Sequence, residues 1–310
     1  MEEKLDDAET ELQAVLKIAP HHVSALTSMA RIAIQRKQPD EALGFLRLVL
    51  DTNPRDTDAN LLAADAEGAK GRLEEAAKHY ATALEVNPRL VGANVAMARF
   101  SLTRGQETDA ARYAKAALTE NPRQPGARAV LGQVALMQRK ADEAISQFQE
   151  CLEADPKLAM AHAGLGAAYA MKGQRDPAIR AYRKALELDP NRASAVNNLA
   201  WLLSDDPASR DEALRLAQRA TEERPNDGHF RDTLGWVYFK QGRLADAERE
   251  FRAASDVLPR EAAIQYHLGL VERQQGRKVE ASSALKRALL LDPQFDEAAS
   301  ARRLIQELGG

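Results

Sequence analysis

Six histidines, one cysteine and a scatter of acidic pairs are what this 310-residue chain has for chemistry. A zinc hydrolase of the HExxH type needs two histidines one helical turn apart, with a glutamate beside the first. His21, His22, His79, His162, His229 and His267 offer no such spacing. The adjacent His21 and His22 fall in a turn and read as solvated. A dinucleotide site needs three spaced glycines between a strand and a helix. Gly164 and Gly166 flank Leu165, but the third glycine is missing and no strand precedes them. No phosphate-cradling GxxxxGK[ST] loop and no GxSxG nucleophile elbow occurs. Asp205-Asp206 and Glu222-Glu223 read as turn and helix-end solvation. The lone Cys151 excludes an internal disulfide and a cysteine-rich zinc site, and reads as an inert packing residue. The chain is therefore read as not an enzyme, with no cofactor and no metal.

Composition narrows the partners. The net charge is −3 and neither half of the chain is strongly basic, which argues against nucleic acid. An apolar fraction of 45% is too high for disorder. No run approaches the roughly 18–20 apolar residues of a membrane span, so direct membrane insertion is not expected. Few aromatics beside recurrent Ala, Leu, Arg and Glu indicate an all-α chain. The acidic, amphipathic start lacks a signal-peptide pattern, which leaves the compartment open between periplasm or cell envelope and cytoplasm.

The elements that must carry any functional surface are announced by proline. Pro20, Pro54, Pro88, Pro122, Pro156, Pro190, Pro225, Pro259 and Pro293 recur every 34 residues, once at 35. Most follow Asn or Asp, and an Asx-Pro step ends a helix and turns the chain. Each interval holds two helical patterns. In residues 159–192, Leu165, Gly166 and Tyr169 mark a first helix and Gly173 opens the turn. Ala178, Tyr182, Ala185 and Leu186 then form one apolar stripe of a second helix. Small residues sit where helices must approach closely, and large ones fill the remaining gaps. Leu131-Gly132 with Ala144, Phe148 and Cys151 repeats the pattern. So do Leu234-Gly235-Tyr238 with Phe251 and Leu268-Gly269 with Leu285.

This pattern resembles the tetratricopeptide repeat family over nearly the whole chain. Eight repeats are assigned, at 23–56, 57–90, 91–124, 125–158, 159–192, 193–227, 228–261 and 262–295. Residues 1–22 read as the second half of an earlier repeat, which suggests continuation upstream, and residues 296–310 as a capping helix. The resemblance implies a right-handed α-solenoid superhelix forming one domain over 1–310. It also implies a concave groove, lined by first helices, in which a partner peptide or helix docks.

Within each first helix the Leu-Gly-Tyr stripe is taken by packing, so the residues beside it should face the groove. In the fifth repeat these include Met160 and Met171, part of a small, methionine-rich stretch. The sixth to eighth repeats offer Asn197, Asn198, Trp201, His229, Asp232, Thr233, Trp236, Phe239, Tyr266, His267 and Arg273. Both tryptophans directly follow the small residue of the Leu-Ala or Leu-Gly pair, about 100° round the helix from it. Trp, Tyr and Arg are the usual interface anchors, and asparagine amides can pair with a peptide backbone. The competing reading packs both tryptophans between adjacent first helices.

The carboxylate clamp of chaperone-binding members would need Lys and Asn where Ala163 and Ala167 stand. It would also need Lys and Arg where His229 and Thr233 stand, so only Asn198 fits. The stretches Asn197–Leu203 and Asp232–Tyr238 look instead like C-terminal repeats of bacterial envelope and export-associated members. The expected function is a non-catalytic protein-interaction scaffold in a bacterial assembly or export complex. The alternative is a structural element that self-assembles through its solenoid ends; the residues leave the oligomeric state open.

Overall fold

A computed structural model describes residues 2–309, and among them the chain forms 18 α-helices and one short 3-10 turn at Pro207–Ser209. The helices group into two compact units, residues 1–156 and 157–310.

In the first unit α1 (Glu2–Ile18) packs against α2 (Val23–Gln35), which pairs with α3 (Pro39–Thr52). Three further hairpins follow: α4 (Thr57–Ala69) with α5 (Leu73–Val86), α6 (Val91–Thr103) with α7 (Glu107–Glu120), and α8 (Pro125–Met137) with α9 (Ala141–Ala154). In the second unit the hairpins are α10 (Ala159–Met171) with α11 (Arg175–Leu188) and α12 (Ala193–Ser204) with α13 (Arg210–Glu223). They continue as α14 (Gly228–Lys240) with α15 (Leu244–Val257) and α16 (Ala262–Gln274) with α17 (Lys278–Leu291), closed by α18 (Ala298–Glu307). Connections this short make neighbouring helices antiparallel.

The Asx-Pro steps work by a local hydrogen bond. The side-chain oxygens of Asn53, Asn87, Asn121, Asp189 and Asp292 each accept from the backbone N–H two residues on, across the proline. This Asx turn redirects the chain, and proline has no amide hydrogen to leave unpaired. The next helix is then capped where the sequence allows. Asp56 accepts from Ala59 N and Asp227 from His229 N and Phe230 N. His22, read as a solvated turn residue, accepts from Ala25 N and caps α2.

The turn inside every hairpin but α12–α13 uses one left-handed residue. Gly173 supplies it at φ 70°, after which the Gln174 N–H closes on Tyr169 O. That six-to-one bond satisfies a helix-end carbonyl. Lys37 and Arg139 hold the same conformation, at φ 60° and 57°, with a side chain attached. The extra residue of the 193–227 repeat enters here, as the 3-10 turn at Pro207, where Asp206 accepts from Ala208 N and from the Ser209 hydroxyl.

Packing follows the small-against-large pattern. A Cβ placed on Gly166 would lie 2.8 Å from the Tyr182 ring, and one on Gly132 2.8 Å from the Phe148 ring. Phe148, Phe251 and Leu285 are fully buried. Each such side chain contributes about 1.5–3 kcal/mol by leaving water. Cys151 is buried too, and desolvation pushes its thiol up to about 11.

First helices also touch across hairpins: α12 meets α14 and α14 meets α16. This arrangement brings side chains of successive first helices together in the second unit.

Candidate functional site

On α12 and α14 the two tryptophans meet. Trp201 and Trp236 stack with ring centroids 5.1 Å apart and planes 20° from parallel. They do so because one repeat is 35 residues long and both side chains occupy the same helix position, one repeat apart. Phe239, one turn beyond Trp236, extends the stack at 5.4 Å. His267 of α16 packs beneath, 4.7 Å from Trp236 and 5.7 Å from Trp201. Both indoles stay partly exposed, so one edge of the stack faces solvent. Offset stacking of this kind is worth about 0.5–1.5 kcal/mol beyond burial.

Polar groups pin the stack. His267 is buried, with Nδ1 2.8 Å from Asp232 Oδ1. A carboxylate only accepts, so Nδ1 carries the proton. Lys240 Nζ lies 4.7 Å from the centre of the Trp236 ring and 2.8 Å from Asp205 Oδ1. A cation so placed gains from the ring's negative face.

Beside Trp201 opens a cleft of about 430 Å³. Asn197, Asn198, Trp201, His229, Asp232 and Thr233 line it, joined by Ala167, Ala170, Tyr182 and Leu202. Asn198 is exposed and donates from Nδ2 to the Tyr182 hydroxyl at 3.1 Å. Burial pushes that phenol up to about 12, so it stays protonated. Asn197 is buried, and its Oδ1 has no hydrogen-bond partner. An unpaired buried acceptor costs about 1–3 kcal/mol, which an outside donor would recover if the amide turned towards the cleft. Thr233 is buried and His229 exposed at the start of α14.

The remaining candidates lie apart from this cluster. Tyr266 is buried against Phe295, at 5.8 Å and edge-on, in the core shared with α17 and α18. Arg273 pairs with Glu307 of α18 at 2.9 Å. Met160 is half-buried near the start of α10, and Met171 is exposed at its end. Tyr182 was read from sequence purely as core. Its hydroxyl was the available signal, since a buried phenol must find a polar neighbour.

The cleft offers an aromatic edge, amides and hydroxyls, and it holds no nucleophile paired with a base. Among the described residues no three His, Cys, Asp or Glu side chains converge as metal ligands, and no helix is long and apolar enough to cross a membrane.

Comparison with known proteins gives the same architecture. A Tetratricopeptide repeat profile matches residues 61–125, 95–159 and 233–302. Two further profiles of the same description match residues 1–66 and 159–192. No curated protein matches the chain significantly. Among solved structures, a chain of the APC/C hetero-tetramer Cut9–Hcn1 is similar with a TM-score of 0.67 and 17% identity, over 100% of this chain. This chain spans 60% of the length of that relative. A tetratricopeptide repeat protein from Parabacteroides merdae is similar with a TM-score of 0.50 and 17% identity, covering 93% of this chain and 99% of its own. At these identities the likeness is one of fold. The helix hairpins, their proline period and a family profile that matches more than half of the residues agree, and the chain belongs to the tetratricopeptide repeat family.

Proposed function

We propose that the chain is a non-catalytic scaffold that holds a partner polypeptide on the first helices α12 and α14, in the cleft beside Trp201. Tetratricopeptide repeat proteins generally mediate protein–protein interactions and are generally non-catalytic, which supports this class of function. The observation that carries the reading is Asn197 Oδ1, buried at the cleft without a donor and flanked by the exposed Asn198 and the partly exposed Trp201. A peptide segment brings both parts needed: backbone N–H groups for the amide oxygen and a side chain to lie on the indole edge. A bacterial assembly or export complex is the setting implied by the resemblance of Asn197–Leu203 and Asp232–Tyr238 to envelope-associated members.

The test is selection of extended peptides from a random library on the full chain, followed by calorimetry. Selected peptides are expected to lose at least tenfold in affinity on Trp201→Ala and on Asn197→Leu. Peptides that bind both variants as tightly as the parent would overturn the assignment.

A further inference from the structure

A second cleft, of about 650 Å³, lies in the same unit between α15 and α17. Its floor is α16, which contributes Gln265, Leu268 and Glu272, spaced three and four residues apart on one face. His267, which faces the tryptophan stack, sits roughly 130° away round that helix. The second cleft and the tryptophan stack therefore lie on different faces of α16.

Glu272 is 5% exposed. Its Oε1 accepts from an Arg252 NH2 group at 3.3 Å, while its buried Oε2 has no hydrogen-bond partner. Burial raises the carboxyl above its ordinary range, Arg277 and Arg252 pull it down, and Glu248 and Glu280 push it up. An acceptor so placed receives no donor from the fold itself, and leaving it unpaired is costly.

Three features narrow what could fill it. Metal-ligand geometry is absent among the described residues. Arg252 already occupies one carboxylate oxygen, so the site accepts at one point. One-point acceptance suits a compact ammonium, whereas a guanidinium fork gains most from two oxygens. The lining carries the acids Asp256, Glu272 and Glu280 against Arg252 and Arg287, a balance of one negative charge when all are ionised, and the 81% exposed Val279 offers apolar surface for an alkyl stem.

We propose that this cleft receives a lysine side chain of a partner polypeptide, the Glu272 carboxyl turning into the cleft so that the ammonium donates to Oε2 while its stem lies along Val279. The proposal is independent of the tryptophan cleft. It is tested by methyl NMR of the full chain titrated with N-acetyl-Gly-Lys-Gly-amide, the same peptide with Nε-acetyl-lysine, and the arginine analogue. The lysine peptide is expected to shift the Leu268 and Val279 methyls saturably. The acetylated peptide should leave them unmoved, the arginine analogue should bind at least threefold more weakly, and the near-isosteric Glu272→Gln should weaken lysine binding at least tenfold. Overturning results are equal binding of the acetylated or arginine peptide, undiminished binding to Glu272→Gln, or shifts confined to the tryptophan face. The peptide comparison uses the unmutated chain, so it decides even if the variant folds poorly.

Discussion

Gly235 lies so close to Phe251 that a Cβ on it would stand 2.7 Å from the ring. The Phe251 side chain is fully buried and cannot swing away. Gly235→Ala gains about 1 kcal/mol of helix propensity but overpacks the hairpin by about 1–3 kcal/mol. Net destabilisation is expected in urea unfolding. Gly44, on the exposed face of α3 with nothing within 4 Å, is the control. There the same change should stabilise by about 0.5–1 kcal/mol.

Lys37 and Arg139 carry side chains through a left-handed turn that Gly173 makes freely. That conformation costs a residue with a Cβ about 1–2 kcal/mol, part of which glycine gives back through its looser unfolded chain. Lys37→Gly and Arg139→Gly should each raise the thermal midpoint, by a net gain of up to about 1 kcal/mol. A fall in both midpoints would show that the turns are not strained.

The proline period made the hairpins legible, because an Asx turn is a local event that needs only the residues around it. The small-against-large pairs were legible for the same reason: Gly166 and Tyr182 recur at one spacing. What escaped depends on distance. Asn197 and Asn198 are neighbours in sequence, yet about 100° apart on α12, so one is buried while the other is exposed. Tyr266 was expected beside the groove, and the packing of α18 against that repeat places it in core. The Glu272 cleft exists only through the separation of α15 and α17, which no local pattern encodes.

Asn197→Leu separates stability from binding. It removes a buried acceptor that lacks a donor and keeps the number of side-chain heavy atoms. The fold should gain about 1 kcal/mol, read by chemical denaturation, while partner peptides bind at least tenfold more weakly. A destabilised variant would mean that the amide is satisfied within the fold.

Acid should weaken the contact between α15 and the turn that joins α16 to α17. Burial alone would raise Glu248, but hydrogen bonds from Arg277, Arg252 and Gln275 outweigh it and hold the carboxyl at about 2. A depressed carboxyl stabilises above its ordinary pKa and loses that contribution as pH falls towards the folded value. Between about pH 4.5 and 2 the stability advantage of the parent over Glu248→Gln should therefore shrink steadily. A difference independent of pH across that range would refute the ion-pair account.

Trp201 and Trp236 are the chain's whole complement of tryptophan, and both belong to one stack. Ultraviolet emission excited at the red edge of protein absorption thus comes from a single address. The molecule carries a built-in optical gauge there: whatever parts the indoles, dries them or quenches them reports on that face without any added label.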